Sequence, residues 1–232
     1  MTQSTDIRPT PLAYGFVRLD AVMADDLSVV NSARVSFDRR DSELTDAGIG
    51  LINFLMWERH GTPFEHNAFR FHVKCPIFVA REWFRHRVGS FNEFSARYTE
   101  MPPEYYLPSN HNVRTQTGKP GAYIFEPLGD EAYRDNAVHA MSVAVKTSIR
   151  TYNNLLEGGV AKELARVVLP VTMYTQFYWT VNARSLMNFL GLRTHETAML
   201  EIRQYADDIE GFFVDQMPVT HAAWVANGRQ TP

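Results

Sequence analysis

The sequence predicts a single α/β domain of the α+β type, with more helix than sheet. Its 232 residues suffice for one domain with a sizeable core, and no internal repeat or low-complexity linker divides them. Residues 68–74 (AFRFHVK) alternate apolar and polar side chains, as a half-buried strand does. Longer segments, such as residues 130–157, instead repeat apolar residues at helical spacing.

The individual elements follow from local signals along the chain. Asp25 can cap a first helix, Gly61 can end the second, and Pro76 ends the first strand. Residues 99–129 are rich in Pro, Gly, Asn and Tyr, show no clear period, and are predicted as a long surface excursion. Asn182 can cap a later helix. The predicted elements are helix 25–34, helix 46–60, strand 68–74, helix 77–88, helix 130–157, helix 161–169, strand 173–181, helix 183–192 and helix 195–214.

Composition narrows the classes of protein to which the chain can belong. A net charge of −3 argues against a broad nucleic-acid-binding surface, so any anion site must be local. The single cysteine, Cys75, excludes an intrachain disulfide and a thiolate zinc cluster, and it suits a reducing cytoplasm. We find no run of 18 apolar residues and no apolar signal core, and therefore expect a cytoplasmic protein that does not enter a membrane.

The stretch RHRVGSFNEFSARY, residues 85–98, concentrates cationic and hydrogen-bonding groups. Its charged residues are Arg85, His86, Arg87, Glu93 and Arg97. Arginine forks and serine hydroxyls suit a phosphate or pyrophosphate. On charge alone, a solvated helix end with surface arginines is the better interpretation. The alternation of polar residues with three aromatic residues favours a binding site instead.

Two other segments contain candidate site residues. In HGTPFEH, residues 60–66, two histidines and a glutamate suggest a metal, but Pro63 prevents one helix from presenting them together, and no metal site is predicted. A turn that offers His60, Thr62 and Glu65 as hydrogen-bonding groups is the preferred interpretation. Residues 161–197 add further polar side chains, each of which alone is more often structural. They are Arg166, Arg184, Asn188 and Arg193.

Several familiar motifs are missing from the sequence. It contains no GxGxxG, P-loop, GxSxG, HExxH or CxxC motif, so a bound cofactor would have to supply any difficult chemistry. Two non-enzymatic classes remain open at this point. One is a single-stranded nucleic-acid-binding protein that stacks bases on the Arg and aromatic stretch, although the net charge argues against it. The other is an oligomerisation domain with structural arginines.

The stretch 85–98 resembles the signature of the flavin-dependent thymidylate synthases, an RHR followed after seven residues by a serine, here Ser95. Five further segments resemble that family in the same order: ARVSF (33–37), TPFEH (62–66), CPIFVAREWFRHR (75–87), ARVVLP (165–170) and YWTVNARSLMNFLGLR (178–193). The resemblance implies a central, mainly antiparallel sheet flanked by helices, in a homotetramer whose active sites are built from several chains. It places the synthase domain at 15–220, between a flexible N-terminus (1–14) and a C-terminal tail (221–232).

The resemblance also implies a reaction and a set of site residues. The family methylates dUMP to dTMP, with methylenetetrahydrofolate as carbon donor and NADPH as reductant of a bound FAD; nucleic acid is not an expected partner. Positions that match FAD contacts are His60, Thr62, Arg85, His86, Arg87, Glu93, Asn182, Arg184 and Asn188. Positions that match dUMP contacts are Glu82, Trp83, Phe84, Arg85, Glu93, Phe94, Ser95, Ala96, Arg97, Arg166 and Arg193. Arg193 matches the catalytic arginine held to favour ionisation at N3 of the uracil, where a fixed cation stabilises developing negative charge.

Three places depart from the family's pattern. Glu82 stands where many members have glutamine, and a carboxylate there would repel a phosphate unless it pairs with a nearby arginine or points away. Ala96 replaces a common glycine, so the backbone at this position must suit a Cβ. Residues 194–199 (THETAM) do not follow the expected pattern, so His195 is assigned no role.

Overall fold

The computed structural model describes residues 7–9 and 12–232. The strands are β1 (Ile7–Pro9), β2 (Phe16–Met23), β3 (Ala68–Pro76), β4 (Ser90–Glu93), β5 (Arg114–Lys119), β6 (Ala122–Pro127) and β7 (Tyr174–Asn182). The α-helices are α1 (Asp26–Arg34), α2 (Asp46–Trp57), α3 (Thr62–Glu65), α4 (Ile77–Trp83), α5 (Glu131–Glu157), α6 (Lys162–Ala165), α7 (Ala183–Arg193), α8 (Leu200–Gln216) and α9 (Pro218–Ala226). No described helix is long and apolar enough to cross a membrane.

An antiparallel sheet with the strand order β1–β2–β3–β7–β4 forms the centre of the domain. In β3, Phe69, Phe71 and Val73 are fully buried on one face, as the alternation in AFRFHVK predicts. β7 pairs along the whole of β3, with Phe71 opposite Trp179. The mixed α/β domain with an antiparallel sheet flanked by helices is therefore confirmed.

Aromatic side chains fill the core between the sheet and the helices. Trp83 at the end of α4 lies 4.8 Å from Phe189 of α7 and 5.4 Å from Trp179 of β7, measured between ring centroids. All three are fully buried. This packing fixes the end of α4 against the middle of α7, and several candidate site residues lie just after α4 or on α7.

A smaller apolar cluster supports the loop that follows β4. It consists of Ala96, Met101, Tyr152, Ala165 and Met173. The hydroxyl of Tyr152, on the long helix α5, accepts a hydrogen bond of 3.1 Å from the backbone N–H of Met101. Helix α5 thus holds one end of the loop that carries Ser95, Ala96 and Arg97.

Several predicted elements need correction. Residues 99–129 contain the hairpin β5–β6, whose second strand is exposed throughout and therefore lacks the alternation of a half-buried strand. The helix predicted over 77–88 ends at Trp83, because the chain turns there with a hydrogen bond of 3.0 Å from His86 N–H to the Trp83 carbonyl. Strands β2 and β4 and helix α9 were not predicted, and α8 begins at Leu200 rather than at 195.

The two ends of the predicted domain are partly described. Of the N-terminal segment predicted to be flexible, residues 1–6 and 10–11 lie outside the described residues, whereas Ile7–Pro9 pair with β2. Helix α9 crosses the predicted boundary at residue 220, and its Trp224 is fully buried in the core. The boundaries at 14 and 220 stay predictions.

Candidate active site

Six of the predicted site residues line one cavity of about 600 Å³, which we call the arginine cavity. They are Arg85, His86, Arg87, Arg184, Asn188 and Arg193. The first three follow α4 in the turn that leads to β4, and the other three lie on α7. Residues nearly 100 positions apart in the sequence therefore converge on one concave, cationic surface.

Helix α7 begins where β7 ends, and this junction directs two predicted site residues at the cavity. The Asn182 side chain caps the helix by accepting a hydrogen bond of 2.8 Å from the Ser185 N–H. Arg184 and Asn188 are four residues apart and share one face. Asn182 itself does not line the cavity, so the structure gives it a capping role and the prediction that it contacts FAD stays a prediction.

Arg193 is held by two neighbours that belong to the α4 segment. Its Nη1 donates to Glu82 Oε1, and its Nε donates to His86 Nε2 at 2.9 Å. The side chains of Arg193 and Glu82 are only 19% and 25% exposed, so the ion pair is partly shielded from water. Glu82 is therefore paired with an arginine, one of the two arrangements in which a carboxylate at this position would not repel a phosphate.

His86 is neutral at physiological pH in this arrangement. Burial lowers its pKa to about 4, and the positive charge of Arg193 lowers it in the same direction. An unprotonated Nε2 is also what the hydrogen bond from Arg193 requires, which places the ring proton on Nδ1. His86 thus orients Arg193 without adding a competing positive charge.

The cavity retains cations that have no carboxylate partner. Among the described residues, none of the ion pairs within 4.0 Å involves Arg85 or Arg87, and both side chains belong to exposed residues. Arg184 is paired with Glu65, whose Oε1 lies 2.8 Å from its Nη1. Unpaired guanidinium groups beside an amide suit a phosphate or pyrophosphate, so the donor set fits the diphosphate of FAD.

A second cavity, of about 310 Å³, contains residues from the other half of the signature. We call it the loop cavity. Glu93, Phe94, Ala96 and Arg166 line it, together with Arg81. Glu93 Oε1 accepts a hydrogen bond of 2.7 Å from Thr175 Oγ1. Within the described chain, Arg166 has no carboxylate in ion-pair distance; its Nε donates to the Glu163 carbonyl at 3.3 Å, which leaves its terminal N–H groups for an anion.

The substitution at Ala96 is explained by its surroundings. Its methyl group is nearly buried in the small apolar cluster beside Met101 and Tyr152. Ala96 does not belong to the described non-glycine residues with positive φ. A Cβ is therefore accommodated at this position without strain.

The described chain does not bring all the predicted dUMP residues together. Arg85 and Arg193 line the arginine cavity, whereas Phe94, Ala96 and Arg166 line the loop cavity. Arg97 pairs with Glu163 at 3.2 Å, and Ser95 accepts hydrogen bonds from the following turn. In the part of the chain that the structure describes, Ser95 and Arg97 line neither the arginine cavity nor the loop cavity.

Two predicted dUMP residues have their side chains in the core. Trp83 is fully buried, and Phe84 packs on Phe91 and Phe177 at centroid distances of 4.9 and 5.0 Å. Their side chains line neither cavity, so any contact with a nucleotide would have to come from their backbone. His60 and Thr62 are exposed near the start of α3, and His60 packs edge-on against Phe54.

The structure also adds residues that sequence reasoning did not place in the site. Glu65 contacts Arg184, and Thr231 and Pro232 form part of the cavity wall. Glu65 was visible in HGTPFEH as a hydrogen-bonding group, but its partner was not. No local pattern connects residues 231–232 with α7, because the contact depends on the course of the chain after α9.

Cys75 lies in an environment that makes its thiol unreactive. It is fully buried, and burial raises the pKa of its thiol well above the ordinary range, with Glu93 acting in the same direction. Among the described residues, no group of three His, Cys, Asp or Glu residues is placed to hold a metal ion.

Comparison with known proteins decides the family. The family model described as "Thymidylate synthase complementing protein" matches residues 18–219. A flavin-dependent thymidylate synthase of Thermosipho africanus is 47% identical over 214 residues, which cover 92% of each chain. The chain belongs to the flavin-dependent thymidylate synthase family. A further member, from Streptomyces coelicolor, is 45% identical over 229 residues and matches 93% of each chain.

Solved structures share the fold of this flavin-dependent thymidylate synthase family member. A UMP/dUMP methylase from Streptomyces cacaoi, crystallised with 5-bromo-UMP, matches with a TM-score of 0.85 and 42% identity over 94% of this chain and 97% of the other. The structure of that methylase with 5-bromo-dUMP matches with the same TM-score and 40% identity over 99% of both chains.

Proposed function

We propose that this protein methylates dUMP to dTMP, with methylenetetrahydrofolate as the carbon donor, NADPH as the reductant and FAD as the cofactor. In the overall reaction, the uracil C5 loses a proton and gains a methyl group, NADPH supplies both electrons as a hydride, and one proton is taken up from solvent. The products are dTMP, tetrahydrofolate and NADP⁺. The observation that carries the proposal is the convergence of Arg85, His86, Arg87, Arg184 and Arg193 on one cavity in a member of this family.

The arginine cavity is the proposed FAD site. Arg85 and Arg87 are the unpaired cations among the described lining residues, and they suit the diphosphate, with Arg184 and Asn188 opposite them on α7. FAD bound there would supply the redox chemistry between NADPH and the transferred carbon. The set of proposed FAD contacts is completed by His60, Thr62, His86, Glu93 and Asn182.

Arg193 is the proposed catalytic residue. Its guanidinium is fixed by His86 and Glu82 before substrate arrives, so it needs no reorganisation when negative charge develops on the uracil ring. The partly buried position strengthens this electrostatic effect. Arg193 therefore binds the ring and stabilises its ionised form.

We propose that the enzyme is a homotetramer whose active sites take residues from several chains. The support is the separation of the proposed dUMP residues between the arginine cavity and the loop cavity of one chain. Exposed apolar side chains on α5 and on the β5–β6 hairpin provide surfaces for association, among them Tyr133, Met141, Ile124 and Phe125. The single, buried cysteine suits the proposed location in a reducing cytoplasm.

Tritium release from dUMP labelled at C5 tests this function. We expect release that depends on FAD, NADPH and methylenetetrahydrofolate, together with formation of dTMP. Arg193→Ala should lower turnover by about 10²–10³ with FAD still bound. Lys119→Ala, an exposed cation at the tip of the β5–β6 hairpin, is the control and should keep full activity. A colourless protein that takes up no FAD and releases no tritium would exclude the proposed function.

A parallel assay with UMP separates a second candidate activity. It is included because the solved structure with a TM-score of 0.85 is that of a UMP/dUMP methylase. For this protein we expect dUMP to be the preferred substrate. Equal turnover of UMP and dUMP would instead show that this protein methylates both nucleotides.

A further inference from the structure

The last six residues of the chain, 227–232, run from the end of α9 to the arginine cavity, and we call them the C-terminal strap. Thr231 and Pro232 form part of the cavity wall, and Pro232 is buried. The strap is not one of the elements that the proposed function uses. Its contacts with the site can be followed from one end to the other.

The strap begins with a defined helix end. Gly228 N–H bonds to the Val225 carbonyl and Arg229 N–H to the Trp224 carbonyl, which is the hydrogen-bond pattern of a Schellman motif. This motif requires a left-handed residue, and Gly228 has φ +67°. The chain therefore leaves α9 in a fixed direction.

Arg229 anchors the strap although its own backbone is unfavourable, with φ +57°. Its guanidinium lies 4.4 Å from the centre of the Trp224 ring, donates to Glu210, and donates to Thr194 Oγ1 at 3.1 Å. A non-glycine residue keeps a left-handed conformation only where its surroundings fix it. Arg229 is such a residue.

The middle of the strap is tied to the end of α2. Gln230 Oε1 accepts a hydrogen bond of 2.7 Å from Arg59, and the Asn227 amide donates to the Met56 carbonyl at 3.4 Å. Because α2 leads directly into α3, these contacts bring the strap beside the segment that contains Gly61 and Glu65.

The end of the strap contacts Arg184. The Pro232 carbonyl oxygen accepts a hydrogen bond of 2.6 Å from Arg184 Nε. Glu65 binds Nη1 of the same guanidinium at 2.8 Å. An arginine side chain has five N–H donors, so three remain for a ligand in the cavity.

Gly61 fits into this arrangement only because it has no side chain. A Cβ at this position would lie 2.8 Å from both Arg184 Cδ and the Pro232 carbonyl oxygen, and nearer still to Arg184 Nε. Gly61 is buried and its φ is an ordinary −74°, so close approach, and not backbone conformation, demands glycine here. Three separate segments thus meet without spare room.

We propose that the C-terminal strap is a positioning element of the cofactor site: it walls the arginine cavity and holds Arg184 for FAD. The Pro232 main-chain oxygen fixes the direction of the Arg184 guanidinium and leaves three of its N–H donors for the ligand. The inference rests on the proposed function, since it takes FAD as the ligand of the cavity. A strap that merely competed with FAD would have to leave at each binding event, which its anchoring by Arg229 and Gln230 opposes.

Two variants test the strap. Gly61→Ala should push Arg184 away from Pro232, and a stop codon at position 231 should remove the wall and the carbonyl acceptor. We expect the FAD dissociation constant to rise at least about tenfold in both, as loss of one oriented charged contact predicts. The dUMP Michaelis constant at saturating FAD should stay within about twofold. FAD binding is followed by flavin fluorescence and the visible absorption band.

Gly50→Ala is the matched control. Gly50 is an exposed position in α2, and a Cβ there meets nothing within 4 Å. Its FAD affinity should equal that of the unchanged protein, and circular dichroism should report native folding for all variants that are compared. If Gly61→Ala does not fold, the FAD affinity of the truncated chain alone tests the role of the strap.

The outcomes separate this inference from the proposed function. Failure of the full chain to bind FAD would exclude the proposed function itself. Normal FAD binding by the full chain and unchanged affinity in the truncated chain would overturn only the role of the strap. Tighter FAD binding after truncation would overturn it as well and identify the strap as a competitor.

Discussion

At the scale of single residues, the contacts of Arg193 are the most informative feature of the site. Its neighbours are a carboxylate, Glu82, and a neutral imidazole, His86. The negative charge of Glu82 offsets part of the positive charge with which Arg193 would stabilise the ionised uracil ring. The identity of residue 82 therefore tunes how strongly the cavity attracts an anion.

Glu82→Gln tests this tuning. Glutamine can still accept a hydrogen bond from Arg193, but it removes one negative charge beside the proposed substrate. We expect the Michaelis constant for dUMP to fall roughly three- to tenfold in steady-state assays. Glu104→Gln is the matched control, since the Lys74–Glu104 pair is shielded to a similar degree, at 21% and 27% exposure, and lies outside both cavities. An unchanged or higher Michaelis constant in Glu82→Gln would contradict the tuning.

Residue identities alone gave a good set of candidates for the cavity. Arg85, Arg87 and Arg184 were named from the sequence, and they converge in the structure. Their partners were not foreseeable in the same way. That Glu65 lies beside Arg184, 119 positions away, follows from the packing of α3 on the start of α7. No local pattern encodes such a pairing.

At the scale of elements, burial of one face made β3 predictable from the sequence. β3 was predicted because Phe69, Phe71 and Val73 all face the core. The β5–β6 hairpin was missed because residues 122–127 are exposed on both faces and their pattern carries no such signal. α9 was missed because it is short and begins directly after α8.

The junction of α8, α9 and the C-terminal strap depends on one carboxylate. Burial raises the pKa of Glu210, but hydrogen bonds from Arg229 and His221 outweigh burial, so that its net pKa is lower than usual. A lowered carboxyl pKa contributes stability above the unfolded value of 4.5, and this stability is lost as pH falls through the lower folded pKa.

Glu210→Gln should therefore destabilise the protein in a pH-dependent manner. At pH 7 we expect a loss of about 1–3 kcal/mol in the free energy of unfolding, measured with urea, because two hydrogen bonds lose their charge. The difference from the unchanged protein should shrink as pH is lowered to 4 and below. Glu126→Gln, in the exposed strand β6, should change little at either pH. An equal loss at both pH values would show that charge is not the cause.

At the scale of the whole molecule, the separation of the two cavities is the main finding. One chain offers a cationic arginine cavity on α7 and a smaller loop cavity with Arg166. The proposed dUMP residues belong to both. A homotetramer in which the arginine cavity of one chain faces the loop cavity of another would unite them.

Mixed oligomers test this shared site most directly. The Arg193→Ala and Arg166→Ala chains should each be nearly inactive alone. When they are coexpressed in equal amounts, one half of the chains keeps Arg193 and the other half keeps Arg166. A site that takes the two arginines from different chains then holds both in about a quarter of cases, so about a quarter of the unchanged activity should return. The measurement is tritium release from C5-labelled dUMP on the purified mixture, with each variant alone as reference. Recovery near this level is the predicted result. Activity of the mixture no greater than that of the separate variants would contradict an active site shared between chains.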